Sequence, residues 1–189
     1  MAEEFNLTTK EKVKLFLDIT ATTYDTLLDT MCNQLTSWIE NYCGGRRFMS
    51  TEYTEELYDG DNFERFLRLK NYPVIAWTKI EYNAGTTASP NWTEYDASDY
   101  EKYDTTGILW FDRVEKGKRN IRISYTAGYA KIPYDLELLA TKLVARTFEK
   151  RLSEQKVSEG SPDLNITWDE FIKKEDKIVL GNYTRILIV

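Results

Sequence analysis

The chain contains no histidine, and only two cysteines and four prolines among 189 residues. Without histidine it lacks the commonest general base near neutral pH and the commonest zinc ligand, so most hydrolase readings fall away. No glycine-rich phosphate loop of the P-loop or dinucleotide type is present, which leaves phosphoryl transfer without a scaffold. No apolar run approaches the roughly 20 residues of a membrane-spanning helix. Met1 to Leu7 carries Glu3 and Glu4 where a secretory signal would need a basic region followed by an apolar one. Basic charge is also short: 25 Lys and Arg against 31 Asp and Glu leave a net charge of −6, which argues against affinity built on neutralising phosphates. The two cysteines, Cys32 and Cys43, fall on one predicted helix. A continuous helix holds them roughly 16 Å apart, beyond the roughly 7 Å Cα limit of a disulfide. Free thiols are expected, in keeping with assembly in a reducing cytosol.

What is present is amphipathic helix and patterned strand. Leu27, Leu28, Met31, Leu35, Trp38, Ile39 and Tyr42 recur at three- and four-residue steps, which predicts a helix from about Thr23 to Cys43 with Thr22 and Asp25 as capping candidates. Gly44 and Gly45 can take the left-handed conformation that stops it, so Arg46, Arg47 and Phe48 begin a new element. A shorter helix precedes it, signalled by the capping-box pattern Thr8 to Glu11 and an apolar face of Val13, Phe16 and Leu17. A second long helix is predicted from Pro133 to about Leu152, with Leu136, Leu139, Ala140, Leu143, Val144, Thr147 and Phe148 inward.

Between the long helices the texture changes to short runs rich in Tyr, Trp, Ile, Val and Thr, broken by Asp-Gly, Asn, Gly and Pro. Antiparallel strands are predicted at Glu52–Tyr58, Phe63–Leu69, Val74–Tyr82, Trp92–Tyr95, around Tyr100, at Gly107–Phe111 and at Asn120–Thr126. In the last of these Ile121, Ile123 and Tyr125 alternate with Arg122, Ser124 and Thr126, so one face is buried and one is wet. The fold class is α+β. A small helical domain of residues 1–48 and 131–152 has an inserted antiparallel β domain, 49–130, and an extended C-terminal arm, 153–189. Within the arm a polar link, Ser153 to Thr167, precedes a short helical stretch near Trp168 to Lys174.

Three features could carry chemistry. Glu52, Glu55, Glu56, Asp59 and Asp61 could supply paired acids for glycoside cleavage or oxygen ligands, with Glu55 or Asp59 the candidate for a carboxylate hydrolase. However, Tyr58-Asp59-Gly60-Asp61-Asn62 reads better as a hairpin turn than as a calcium loop. Thirteen tyrosines and five tryptophans admit a baseplate or carbohydrate-binding module whose rings stack on sugar, although aromatics so spaced in strands are more often core. The cluster Arg113, Lys116, Lys118, Arg119 and Arg122 suits a solvated hairpin face better than a nucleic-acid patch. No catalytic residue, metal or cofactor site is expected.

The run Thr184 to Val189, the end of a terminal stretch from Ile178, is apolar and β-prone where the end of a chain is usually polar. Either it pairs with the protein's own sheet, or it adds as a strand to a neighbouring subunit or partner. The residues involved are Ile178, Val179, Leu180, Tyr183, Arg185, Ile186, Leu187, Ile188 and Val189.

The order of these signals resembles the head-to-tail connector proteins of long-tailed bacteriophages, also called adaptor or head-completion proteins. Val13-Lys14-Leu15-Phe16-Leu17-Asp18-Ile19 with Asp25, Leu27 and Leu28 resembles the opening helix pair of that family. Ile39 to Phe48 is similar to its helix-ending signature. Leu57 to Gly60, Leu67 to Leu69 with Tyr72-Pro73-Val74, Ile123 to Tyr129 with Pro133 and Leu136, and Asn182 to Arg185 resemble the remainder. Ser153 to Asp176 departs from the pattern. The resemblance implies a virion neck protein with no enzymatic activity. It would form a ring, with the portal's twelvefold symmetry, that extends the DNA channel and receives a stopper or tail protein. The implied partners are further copies of the chain, the portal, the stopper or tail-completion protein, and double-stranded DNA passing through without sequence-specific binding. Ile178 to Val189 is then expected to reach the portal or an adjacent subunit as an added strand. Arg46 and Arg47 are expected at a subunit contact or opposite an acidic partner surface, or else as a solvated pair after the helix stop.

Overall fold

The alternation of apolar and polar residues over 120–127 sets the centre of one half of the molecule. In the computed structural model, which describes residues 6–60, 65–157 and 172–184 (the side chains of 152–157 excepted), the chain divides into two compact units. One comprises 1–48 with 131–189, the other 49–130. Among the described residues the elements are α1 (Lys10–Leu17), α2 (Asp25–Tyr42), β1 (Thr51–Gly60), β2 (Phe66–Arg68), β3 (Val74–Asn83), β4 (Trp92–Glu94), β5 (Tyr100–Tyr103), β6 (Ile108–Phe111), β7 (Gly117–Ala127), α3 (Tyr134–Val157) and α4 (Lys174–Tyr183). The architecture is α+β.

In the β unit, two antiparallel sheets share one core: a four-stranded sheet in the order β1-β7-β3-β4 and a three-stranded sheet in the order β2-β6-β5. Ile121, Ile123 and Tyr125 of β7 are fully buried and meet Ile80 of β3 and Leu67, Leu69, Leu109 and Phe111 from the smaller sheet. Tyr125 stacks on Tyr53 across the β1–β7 pair, centroids 5.1 Å apart, and its hydroxyl donates to the Glu56 carboxylate at 2.7 Å. Tyr58 donates to the same carboxylate, and the Lys70 ammonium lies 3.2 Å from its other oxygen.

The opposite face of β7 is stitched by Arg122. Its guanidinium donates to Glu81 of β3 at 2.7 Å, lies 3.0 Å from Glu55 of β1, and sits 4.5 Å from the ring centroid of Trp92 on β4. One side chain on the central strand thereby touches every other strand of the sheet. Glu81 stands opposite Arg122 in the register, and its side chain is only 4% exposed, so the pair is a necessity of its burial. Glu55 reaches Arg122 from a β-bulge where its own φ is 56°, inside the left-handed region.

The helical unit is built on the two predicted stripes. Leu28, Met31, Cys32, Leu35 and Ile39 of α2 are buried, as are Leu136, Leu139, Ala140, Leu143, Val144 and Phe148 of α3. Tyr42 departs from its stripe and is exposed. The helix α1 runs antiparallel to both neighbours: Lys10 and Lys14 pair with Asp29 and Asp25 of α2, each at 2.7 Å, while Thr8 meets Thr141 and Lys12 pairs with Glu137 of α3.

Three expectations are corrected here. Thr8 caps nothing; the α1 cap position is Thr9, without a side-chain bond, and the Thr8 hydroxyl instead lies 2.7 Å from that of Thr141. Neither Thr22 nor Asp25 caps α2, because Asp25 is taken by Lys14. Phe16 is exposed, leaving Val13 as the buried apolar anchor of α1. The helix α3 also continues past Leu152 to Val157. Most of the predicted polar link, the stretch near Trp168 and the turn residues Asp61 and Asn62 lie outside the described residues.

Arg122→Ala is expected to lower the unfolding free energy by about 3 kcal/mol in urea denaturation, because it leaves Glu81 buried beside Lys79 alone. The hydrogen bond from Arg122 holds the Glu81 carboxyl below the usual carboxylate range. Its contribution is therefore complete above the unfolded-state value of about 4.3 and is lost as pH falls through the lower folded one. Glu81→Gln should flatten that acid limb of the stability curve.

Candidate docking surface

The two sequence features singled out for partner contact, the arginine pair after α2 and the run from Ile178, lie in one unit, and Arg46 meets Tyr183 inside it. The helix α2 stops because Gly44 and Gly45 both take positive φ, 90° and 73°, and the Gly45 amide donates back to the Glu40 carbonyl at 2.9 Å. This reversal turns Arg46 and Phe48 into the unit and leaves Arg47 exposed. Arg46 is 1% exposed. Its guanidinium lies 5.0 Å from the Phe48 ring centroid and donates to the Tyr183 carbonyl at 3.3 Å. Phe48 in turn meets the Tyr183 ring edge-on, centroids 5.8 Å apart. The Glu40 carboxylate, which accepts the Phe48 amide, is raised by burial against the opposing effects of that bond and of Arg47.

The helix α4 is held along its length. The Asp176 carboxylate accepts the Lys173 amide at 2.9 Å and pairs with Arg146 of α3 through both oxygens. Leu180 is fully buried, with its carbonyl 3.9 Å from the Cys43 thiol. The Tyr183 hydroxyl donates to Asp135 at 2.6 Å. Asp176 near Arg146 and Tyr183 near Asp135 mean that α4 runs antiparallel to α3. Ile178 points the other way and is 69% exposed, with Val179 half-buried.

Two expectations change accordingly. Residues 178–183 form helix, not an added strand. The β-prone Ile-Val-Leu triplet is overridden because Asp176, Leu180 and Tyr183, at three- and four-residue steps, each find a partner on the helical unit. Arg46 is not solvated, since its own chain encloses it. Arg185, Ile186, Leu187, Ile188 and Val189 lie outside the described residues. The supporting residues whose part in seating α4 sequence reasoning did not assign are Phe48, Asp135, Arg146 and Asp176. Only Asp176, an acidic residue in the first turn of a short helix, carried a readable signal.

The remaining sequence candidates are dispersed. Glu55 pairs with Arg122, Glu56 takes two tyrosine hydroxyls and Lys70, and Asp59 accepts the Arg119 amide at 2.6 Å. Among the described residues no three acidic or cysteine side chains converge as a metal group, and no helix is long and apolar enough to cross a membrane. The cysteines are free and buried. Burial pushes the Cys32 thiol up to about 12 and raises Cys43 as well.

Cys43 reports on the seat of α4. Leu180→Ala removes a buried leucine, a change that costs about 2–5 kcal/mol in protein cores. It is expected to raise the rate of Cys43 labelling by a thiol reagent by about 30-fold or more, corresponding to at least about 2 kcal/mol of easier local opening. Cys32 labelling should change far less.

Comparison with known proteins bears on this arrangement as a whole. The fold recurs in a chain from the neck of an empty GTA particle computed with C6 symmetry, which is 14% identical with a TM-score of 0.60 over 94% of this chain and 90% of that one. It recurs also in a chain from the virion of a native gene transfer agent (GTA) particle, 15% identical with a TM-score of 0.58 over 95% and 89%. No curated protein matches the sequence. The family model described as head completion protein matches residues 6–186. That span takes in both units, the glycine stop of α2 and the seated α4, and the chain therefore belongs to the head completion protein family.

Proposed function

We propose that this protein is a structural component of a virion neck. Copies assemble as a ring beneath the portal, extend the DNA channel, and offer a docking surface to a stopper or tail protein. The observation that carries the reading is the family match over residues 6–186. The fold shared with a chain from a particle neck supports it, and the C6 symmetry of that neck is compatible with a ring of twelve. The charge fits as well. A net charge of −6 repels a duplex that must slide, the opposite of what gripping it requires. Among the described residues, the polar groups Arg46, Asp135, Arg146 and Asp176 are taken up in holding α4.

In this reading α4 is the fixed base of the arm, and Arg185 to Val189 are the residues that reach the portal or an adjacent copy. Ile178 and Arg47, both exposed, belong to the same contact region of the helical unit. The chain truncated after Thr184 separates the two roles. It retains the contacts of Arg46, Asp176, Leu180 and Tyr183 that seat α4, so its melting temperature is expected to stay close to that of the full chain. Its binding to a cognate portal ring should fall by about tenfold or more. Mass measurement of each form, alone and mixed with the portal, reads both. Full portal binding by the truncated chain would remove the arm from the reading. A stable monomer that ignores the portal and binds glycans would replace the neck role with a carbohydrate-binding one.

A further inference from the structure

The register of the smaller sheet decides what its outer face carries. Leu67, Leu109 and Phe111 turn to the core, so Phe66, Trp110 and Glu101, opposite one another across β2, β6 and β5, share the other face, followed by Ile108 and Tyr103. An outer face of an antiparallel sheet is ordinarily polar. Here Trp110 is 45% and Tyr103 50% exposed, and Phe66 stacks on Trp110 at 6.0 Å.

Along the β5 side a groove of about 360 Å³ is lined by Ser98, Tyr100, Glu101, Tyr103, Trp110 and Asp112. The charged side chains lining it are both acidic, and aromatic faces add negative quadrupole. The Tyr103 hydroxyl donates to Glu101 at 3.1 Å and so orients that carboxylate. The neighbouring Lys102 places its ammonium 5.3 Å from the Tyr100 centroid, an internal example of the kind of group these rings receive. The same unit also carries the complement. Arg113, Lys116, Lys118 and Arg119, all exposed, follow β6 and lead into β7.

We propose that the basic stretch 113–119 of one copy docks in the Trp110 groove of the next, its cations lying over the exposed rings and between Glu101 and Asp112. The occupant is a second copy of this chain because the charge complement of the groove, Arg113, Lys116, Lys118 and Arg119, is on the chain itself. The proposal rests on the ring reading above and assigns the residues of the contact.

The test uses full-length chains. Isotope-labelled and unlabelled copies are mixed under assembling conditions and joined with a carbodiimide, which links carboxylates to amines in direct contact. Mixed-isotope links from Glu101 or Asp112 to Lys116 or Lys118 are expected. Glu101→Lys with Asp112→Lys should weaken self-association by about tenfold or more, as should Arg113→Glu with Lys116→Glu and Lys118→Glu. A chain carrying both sets should recover it. Every substituted side chain is exposed, and unchanged melting temperatures confirm that the variants fold. Wild-type copies that associate without those links, or copies carrying either set alone that associate as the wild type does, would falsify this docking and leave the ring intact. Wild-type copies that associate neither with one another nor with the portal would overturn both readings.

Discussion

The buried guanidinium of Arg46 is the constraint on which the helical unit turns. A charge placed inside a protein must be surrounded by groups that replace water, and among the described residues these include the Phe48 ring face and the Tyr183 carbonyl. The carbonyl belongs to the last residue of α4, where a helix leaves its backbone acceptors unpaired. Arg46 thus satisfies a group that the helix itself cannot satisfy. That one hydrogen bond offsets part of both the cost of enclosing the cation and the cost of ending the helix. Without the paired positive φ values of Gly44 and Gly45, the chain would not turn Arg46 toward that carbonyl.

The β unit follows the same logic with Arg122. A guanidinium has five donors in a rigid planar fork and a flat face that stacks on a ring, so one residue can bond two carboxylates and cover an aromatic at once, which a lysine's compact ammonium cannot. Placed on the central strand, it joins β1 and β3 through carboxylates and β4 through an aromatic face. Apolar burial on the other face supplies most of the stabilisation: at roughly 1.5–3 kcal/mol per fully buried large side chain, the cluster around Ile121, Ile123 and Tyr125 outweighs any single ion pair. The Arg122 pairs add what that apolar cluster cannot, since breaking a buried pair costs several kcal/mol and so penalises a slipped register.

Legibility in the sequence followed the strength of the periodic signal. The strand β7 was readable because a two-residue alternation over seven or more positions has one structural meaning, and α2 and α3 were readable because their stripes run for several turns. The seat of α4 was not, since ten residues give too few turns for a clear stripe and Ile-Val-Leu speaks for a strand. Arg46 and Arg47 look equivalent as a dipeptide. What separates them is a helix stop followed by Phe48, through which one arginine turns in and its neighbour turns out, and no local pattern of charge records that. Thr8 misled for a related reason, as a hydroxyl that matches a capping pattern is equally suited to pair with Thr141, 133 residues away.

The seated helix bears on how an arm of this kind can bind. A segment attached to a long free linker must lose most of its conformational freedom on docking, at roughly 1–2 kcal/mol per residue fixed. Because Asp176, Leu180 and Tyr183 already fix α4, that cost is met in folding for residues 174–184. A partner that docks on α4 therefore meets a surface already ordered, and its affinity is not reduced by the cost of forming the helix.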